Sequence, residues 1–246
     1  AIIGKWHMGT HPKFHPLKRG WDYFFGFLSG GHNYFPEKLT LNDYSEVKWA
    51  YGWYSTRIME NYNRIDINNY LTDELSDAAV RYIEKQSNEK NPFMVYLSYN
   101  APHGPLQATE KYLDRFPEIN NEKRKIYAAM VSAMDDGIGR VLNTIKETKI
   151  EEKTIVVFLS DNGGPIHKKA KKNDPLRGKK GDLYEGGVRV PFAMQWKGNI
   201  KKGMIYNKPI SSMDLMATIC DLANVKTKNK LDGINLIPFL KKEKKG

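Results

Sequence analysis

The chain has 246 residues, 40% of them hydrophobic and 27% charged, which is typical of a soluble globular protein with a sizeable core. The formal net charge is +11, and lysine is concentrated in the runs 168–180 and 226–245. Because no zinc-finger spacing, helix-turn-helix pattern or aromatic RNA-binding signature accompanies them, we predict a solvated basic surface and no nucleic-acid partner. The single cysteine, Cys220, excludes an intramolecular disulfide, and no apolar run approaches the roughly 18–20 residues of a membrane-spanning helix.

The first half of the chain alternates between helical and extended patterns. Residues 1–54 are rich in Gly, His, Pro and aromatic residues and predict ordered loops around short strands. Apolar residues at helical spacing predict a helix over 71–86, with Thr72 as its N-cap, and a long helix over 126–145. The apolar run 93–97 predicts a buried strand between them.

The second half continues the alternation. The run 154–159 is apolar on both faces, which predicts a central parallel strand, and 191–196 is a further predicted strand. Ser212 is the predicted cap of a last helix. Its inward face is predicted to carry four apolar residues: Leu215, Ile219, Leu222 and Ala223. Strand–helix alternation predicts an α/β fold with a mixed, mostly parallel sheet and no clear domain boundary.

Two polar side chains follow the predicted strand 154–159. Asp161 and Asn162 stand at its carboxyl end, where ligand sites of α/β sheets lie, and are followed by two glycines. Both offer the hard oxygen atoms that Ca²⁺ and Mg²⁺ prefer. A plain Asp-Asn-Gly turn explains these residues equally well, so both interpretations stay open.

His103 follows the other predicted strand, within Asn-Ala-Pro-His-Gly-Pro at 100–105. Prolines on both sides restrict its backbone, as the placement of an acid or base requires. A lone loop histidine is more commonly bonded to backbone, and the sequence does not decide between these two outcomes.

Near the start, Gly-Lys-Trp-His-Met-Gly at 4–9 places Lys5 and His7 on the same face of an extended segment, which predicts an anion-binding pair. His7, His11 and His15 also repeat every four residues, as zinc ligands on a helix do. A glycine and two prolines within the repeat exclude such a helix, so we predict no zinc site.

A glycine-rich basic segment spans 176–191, with the sequence Leu-Arg-Gly-Lys-Lys-Gly-Asp-Leu-Tyr-Glu-Gly-Gly-Val-Arg-Val-Pro. Glycine allows the backbone and a lysine to approach an anion closely. A surface loop without a ligand is the alternative.

Taken in order, these motifs resemble the type I, formylglycine-dependent sulfatases, related to arylsulfatase A and N-acetylgalactosamine-6-sulfatase. The similarity covers nearly the whole chain and rests on the segments 4–9, 19–26, 101–103, 160–163, 180–189 and 231–236. It implies an alkaline-phosphatase-like sandwich with a central mixed, mostly parallel sheet flanked by helices. It also implies a sulfuric ester hydrolase that releases inorganic sulfate from a sulfated carbohydrate or an aryl sulfate.

The resemblance implies a role for each matching residue. Lys5 and Lys180 would bind the sulfate oxygens and offset the charge that builds during transfer. His103 would protonate the leaving alcohol as the general acid, and His7 would contact the formylglycine hydroxyl and help to release the sulfated intermediate.

The resemblance also implies a metal and a substrate contact. Asp161 and Asn162 would coordinate Ca²⁺, in preference to Mg²⁺. The segment 30–35 resembles the variable substrate region of carbohydrate sulfatases, so His32 would contact the substrate.

Several family features are missing from this sequence, among them the nucleophile motif with its arginine and the N-terminal pair of metal-binding aspartates. The nucleophile motif Cys-x-Pro-x-Arg is absent, and Cys220 does not replace it because Asp-Leu-Ala follows within an amphipathic helix, where core packing is its expected role. We therefore expect the nucleophile upstream of Ala1 and expect 1–246 to be a single incomplete catalytic domain, without the C-terminal subdomain and inactive alone. Export to the periplasm or the cell exterior is implied by the family; the oligomeric state is not predicted.

Two other functions remain as alternatives. One is a phosphodiesterase or phosphonate hydrolase of the alkaline phosphatase superfamily, although we expect such an enzyme to carry more than six histidines. The other is a non-catalytic polyanion-binding relative, which the net charge of +11 motivates.

Overall fold

The structure is a computed structural model that describes residues 1–165 and 173–241. These residues form two compact units, one of 1–149 with 161–165 and 173–190 and the other of 150–160 with 191–241. Parts of both lysine-rich runs lie outside the described residues. The single catalytic domain expected from the sequence stays a prediction.

The first unit is built on a five-stranded mixed sheet. Its strands are β1 (Ile2–Lys5), β2 (Phe24–Phe27), β3 (Ile58–Glu60), β4 (Asn63–Ile65) and β5 (Tyr96–Ser98). The order is β4-β3-β2-β1-β5, with β1 parallel to both β2 and β5 and the other pairs antiparallel. The carboxyl ends of β1, β2 and β5 therefore lie at one edge of the sheet.

Helices pack on one face of this sheet through a large apolar core, and a smaller apolar core lies on the other face. The helices of the first unit are α1 (Leu71–Ser87), α2 (Glu110–Leu113), α3 (Glu122–Glu147) and α4 (Glu185–Val188). Successive strand residues point to opposite faces. Ile3 accordingly joins the core with α1 and α3, and Ile2 joins a smaller core with Phe24; all three side chains are fully buried.

The two long helices of this unit are confirmed, with corrections at their ends. α1 extends one residue beyond the predicted segment, and its N-cap is Tyr70 rather than Thr72, which is fully buried in the first turn. α3 contains the predicted segment 126–145 and begins earlier. The side chain of Asn121 caps it by accepting a hydrogen bond from the backbone N–H of Arg124 at 3.0 Å.

The predicted strand at 93–97 is displaced and less buried than predicted. β5 covers Tyr96–Ser98 and forms an edge of the sheet within the described chain. Tyr96 is 50% exposed and Met94 is 47% exposed. An apolar run predicts a strand, but burial of that strand depends on what covers it, and local residues do not encode that.

The second unit contains a two-stranded sheet of β6 (Val156–Leu159) and β7 (Phe192–Gln195), with helices α5 (Met213–Leu222) and α6 (Ile237–Leu240). β6 and β7 pair antiparallel, and Phe158 is 38% exposed. The prediction of a central parallel strand at 154–159 is therefore wrong for the described part of the chain.

α5 buries polar side chains where apolar ones were predicted. Asp214 accepts hydrogen bonds from the backbone N–H groups of Ser211 and Ile234, and Thr218 accepts one from Leu236. The four residues predicted to face inward are half-buried or exposed: Leu215, Ile219, Leu222 and Ala223. The inner face is polar because the backbone of the following segment needs hydrogen-bond partners there.

Candidate functional site

Three of the predicted site segments follow the carboxyl ends of parallel strands. Lys5 is the last residue of β1, and His7 lies two residues beyond it. β5 leads into the loop that carries His103, and β2 leads into Gly30. The sheet therefore brings these segments to one edge, where ligand sites of α/β folds lie.

Close packing of the strands at this edge depends on Gly4. Its backbone has a φ of +108°, which side chains rarely adopt, and a Cβ atom there would overlap the carbonyl oxygen of Ser98 in β5. A glycine is therefore needed where β1 passes β5, immediately before Lys5.

His7 is exposed and adopts a left-handed backbone conformation, with a φ of 57°. Its backbone N–H donates to the carbonyl of Leu28 at 3.2 Å. A Cβ atom on Gly30 would overlap the imidazole Nε2. A non-glycine residue in this conformation is uncommon, and here it holds the imidazole directly against the Gly30 backbone.

Charges of both signs surround Lys5 and His7. Burial lowers the pKa of Lys5 below its ordinary value; Asp161 opposes this shift and Lys180 adds to it. The pKa of His7 is also lowered, first by partial burial and then by Lys5 and Lys180, against the opposing effect of Asp161. Two ammonium groups, one imidazole and one carboxylate thus interact at one place, and an anion bound there would meet two positive charges.

Lys180 is positioned by backbone contacts between two glycine-rich segments. Its own N–H donates to the carbonyl of Gly164 at 3.3 Å, and the N–H of Gly163 donates to the carbonyl of Gly187 at 2.9 Å. A Cβ atom on Gly163 would overlap the carbonyl of Gly186. The segment of Asp161 and the loop of Lys180 are therefore joined backbone to backbone.

Asn173 closes the same junction through its side chain. Its Oδ1 accepts a hydrogen bond from the N–H of Gly164 at 3.1 Å, and its Nδ2 donates to the carbonyls of Gly164 at 2.8 Å and Gly178 at 3.0 Å. Asn173 was not predicted as a site residue, because an asparagine within a lysine-rich run carries no periodic or motif signal.

His103 is half-buried and is fixed by hydrogen bonds on both sides. Its Nδ1 donates to the carbonyl of Gly104 at 2.7 Å, since a carbonyl can only accept. Its own carbonyl accepts a hydrogen bond from the Tyr34 hydroxyl at 2.7 Å, and the backbone N–H of Tyr34 donates to Gln107 at 2.8 Å. The backbone-bonded outcome therefore holds for Nδ1.

Asp161 and Asn162 provide two adjacent oxygen donors. Asp161 is exposed, and the Nδ2 of Asn162 donates to the carbonyl of Gly163 at 3.0 Å, which places its Oδ1 on the other side of the amide. Residues 1–165 and 173–241 contain no group of three His, Cys, Asp or Glu side chains that could enclose a metal. Because Ca²⁺ takes 6–8 oxygen ligands, these two residues fit one part of a hard-cation shell.

His32 does not reach this site. Its side chain is 0% exposed and packs on Phe27, with ring centroids 4.5 Å apart, while Nδ1 donates to the carbonyl of Asn33 at 3.0 Å. Burial lowers its pKa to about 4. A fully buried ring does not touch a substrate, so the predicted substrate contact at His32 is wrong.

The histidine repeat also has a structural explanation. His11 and His15 each precede a 3-10 turn that begins with proline, and the Nδ1 of each accepts a hydrogen bond from a backbone N–H within that turn. The residues at 7, 11 and 15 therefore do not lie along one helix face.

Comparison with known proteins identifies the family. The family model described as Sulfatase matches residues 1–225. The uncharacterized sulfatase YdeN of Escherichia coli K12 is 31% identical over 100% of this chain and 45% of its own length. Human N-acetylgalactosamine-6-sulfatase is 31% identical over 97% of this chain and 45% of its own length. The chain thus spans about half the length of these relatives.

Solved structures that resemble this chain include a sulfatase as well. The crystal structure of Ps i-CgsB in complex with k-i-k-neocarrahexaose superposes with a TM-score of 0.90 at 41% identity, over 96% of this chain and 53% of that one. PsFucS1 sulfatase from Pseudoalteromonas sp. superposes with a TM-score of 0.75 at 27% identity, over 98% and 51% of the two chains. The predicted alkaline-phosphatase-like architecture is confirmed by these neighbours. The chain belongs to the sulfatase family.

Proposed function

We propose that the full-length protein is a sulfuric ester hydrolase that releases inorganic sulfate from a sulfated carbohydrate. The observation that carries this proposal is the grouping of Lys5, Lys180 and His7 with Asp161, whose charges act on one another. Two cations beside a carboxylate suit a bound sulfate ester next to a metal ion.

In this proposal Lys5 and Lys180 hold the sulfate oxygens. Lys5 is half-buried at the end of β1, and Lys180 is held by the junction at Gly164. Because Lys5 is half-buried and the backbone of Lys180 is held at the junction, both lysines start near the position in which they would stabilise the charge that develops at sulfur. Loss of either should raise the barrier by about 2–4 kcal/mol, by analogy with oxyanion donors.

In this proposal each histidine takes part in a proton transfer: His7 accepts a proton and His103 donates one. The lowered pKa of His7 keeps its imidazole neutral near pH 7, so it can accept a proton beside the sulfate. His103, whose ring is oriented by the hydrogen bond from Nδ1 to the Gly104 carbonyl, would protonate the leaving alcohol oxygen as the general acid.

Sulfatases generally use formylglycine and a divalent metal. We propose that Asp161 and Asn162 contribute two oxygen ligands to Ca²⁺, in preference to Mg²⁺, because adjacent flexible oxygen donors suit its larger and more variable shell. When bound, the metal would offset the negative charge of the sulfate oxygens. The formylglycine, which would supply the nucleophilic hydroxyl, is assigned to a residue outside 1–246, since this sequence has no Cys-x-Pro-x-Arg motif.

A sulfated carbohydrate is the proposed substrate class. The relatives include N-acetylgalactosamine-6-sulfatases, and a structural neighbour at 41% identity was solved with a neocarrahexaose. Carrageenan oligosaccharides and N-acetylgalactosamine 6-sulfate are therefore the first compounds to test.

We also propose export to the periplasm or the cell exterior, where a polymeric sulfated substrate would be met. Within the described residues, no helix is long and apolar enough to cross a membrane. Cell fractionation of the native host tests this proposal, and recovery of the protein in the cytoplasmic fraction would contradict it.

The deciding experiment incubates the full-length protein with a carrageenan oligosaccharide, N-acetylgalactosamine 6-sulfate, an aryl sulfate, an aryl phosphodiester and an aryl phosphonate. We expect sulfate release from at least one sulfate ester to be fastest. Lys180→Ala should abolish most of this activity, whereas Lys90→Ala, an exposed lysine on the loop that leads into β5, should retain it. Faster cleavage of the phosphodiester or phosphonate would favour the alternative hydrolase, and no cleavage of any compound would favour a polyanion-binding protein.

A further inference from the structure

Four aromatic side chains, two of them exposed and two half-buried, lie on the segment 49–54, which we call the aromatic platform: Trp49, Tyr51, Trp53 and Tyr54. Tyr51 lies at its centre, with its ring centroid 5.4 Å from that of Trp53 and 5.7 Å from that of Tyr54. Trp49 packs over Gly52, where a Cβ atom would lie 3.0 Å from the indole. Tyr51 is 64% exposed and Trp49 is 53% exposed.

The exposed Tyr51 also has a strained backbone. Tyr51 has a φ of 63° and precedes the 3-10 helix Gly52–Ser55. A left-handed conformation at a non-glycine residue costs on the order of 1 kcal/mol or more, and exposed aromatic surface in a contiguous patch commonly marks a binding site. Strain and exposure thus coincide at one residue.

The aromatic platform is connected directly to the candidate site through Gly30 and Gly31. The imidazole of His7 lies against Gly30, and the ring of Tyr54 lies against Gly31, where a Cβ atom would overlap its hydroxyl end. The N–H of Asn33 donates to the carbonyl of Tyr54 at 3.0 Å. Because adjacent Cα atoms are about 3.8 Å apart, the platform and His7 contact neighbouring residues of one short segment.

We propose that the aromatic platform binds a sugar ring of the substrate next to the sulfated sugar. This inference rests on the proposed function and adds a second binding subsite to it. A pyranose ring has an apolar C–H face and a rim of hydroxyl groups. An aromatic ring can stack on the apolar C–H face, and a Tyr hydroxyl or a Trp N–H can hydrogen-bond to the hydroxyl rim. Amphipathic aromatic side chains beside a polar site therefore suit a sugar. Gly30 and Gly31 lie between the two subsites and are covered by the His7 imidazole and the Tyr54 ring.

The test compares two substrates that differ only in the neighbouring sugars. The full-length protein is assayed with a carrageenan hexasaccharide and with the sulfated monosaccharide derived from it. Tyr51→Ala and Trp49→Ala should each raise the KM for the hexasaccharide about tenfold, the size of effect that one stacked ring supplies, and should leave kcat and the monosaccharide KM unchanged. Tyr62→Ala is the matched control: Tyr62 is 55% exposed but lies in the turn between β3 and β4, at the opposite edge of the sheet.

A second readout is independent of turnover. Titration with the hexasaccharide should quench the tryptophan fluorescence of the wild-type protein and of Tyr62→Ala, but much less that of Trp49→Ala. An unchanged hexasaccharide KM and unchanged quenching in both platform variants, with a lowered Tm, would show that the platform packs against other parts of the full-length protein and would overturn the inference. Failure of the proposed function looks different: the wild type then releases no sulfate from either substrate, and quenching alone decides the inference.

Discussion

Replacing Asn173 by alanine tests whether the glycine junction positions Lys180. The substitution removes three hydrogen bonds, one from the N–H of Gly164 and two to the carbonyls of Gly164 and Gly178. At about 1 kcal/mol net for each bond, the closed loop loses roughly 3 kcal/mol relative to open conformations. Since 1.4 kcal/mol corresponds to about tenfold, kcat/KM for a sulfate ester should fall by up to about 100-fold.

The assay is sulfate release by the full-length protein, combined with hydrogen exchange at the backbone amide of Lys180, which donates to Gly164. Asn173→Asp has nearly the same shape and keeps one acceptor but loses both donors, so it should resemble Asn173→Ala. Asn42→Ala, at an exposed asparagine of the same unit, should behave as the wild type. The reasoning is refuted by wild-type kcat/KM and unchanged exchange in Asn173→Ala, or by an equal loss in the Asn42 control.

Further predictions concern charge, pH and metal. Lys180→Ala should lower kcat/KM for a sulfate ester about 100-fold and Lys180→Arg less; equal activity of Lys180→Ala and wild type would contradict its role. The free energy of unfolding should fall by at most about 3 kcal/mol as the pH drops from 6.5 to 4, because His32 takes up a proton near pH 6.5 when unfolded but only near pH 4 when folded. Denaturant titrations of the wild type and His32→Gln over this pH range check this prediction. The same pH dependence of unfolding in both proteins would disprove it. EDTA should remove activity and Ca²⁺ should restore it better than Mg²⁺, with Asp161→Ala needing more Ca²⁺; full activity in EDTA would rule out the metal proposal.

Local motifs predicted Lys5, His7, Lys180 and Asp161 as candidate site residues, because each motif occupies a strand end or a glycine-rich loop. In a segment such as Gly-Lys-Trp-His, the functional side chains and the extended backbone can both be predicted from the local residues. Only the family resemblance predicted that these segments meet, and in the structure Lys180 and Asp161 both contribute to the pKa shifts of Lys5 and His7. The long helices α1 and α3 were likewise predictable, since their apolar spacing is local.

Features that depend on distant partners were not predictable from the sequence. The sequence around His32 does not indicate whether its ring is exposed or packed against Phe27, as it is in the structure. The run that forms β6 shows extended structure but not the antiparallel pairing with β7. Asn173 and the aromatic platform acquire their roles only when Gly164 and Gly31 are brought beside them.

The central claim is that Lys5 and Lys180 bind one sulfate group. Calorimetric titration of the full-length protein with inorganic sulfate tests it most directly, using Lys5→Ala, Lys180→Ala, the double variant and the Lys90→Ala control. We predict that each site variant weakens sulfate binding about tenfold or more, that the double variant shows no measurable binding, and that the control binds as the wild type. Sulfate affinity that is unchanged in both single variants would contradict the account.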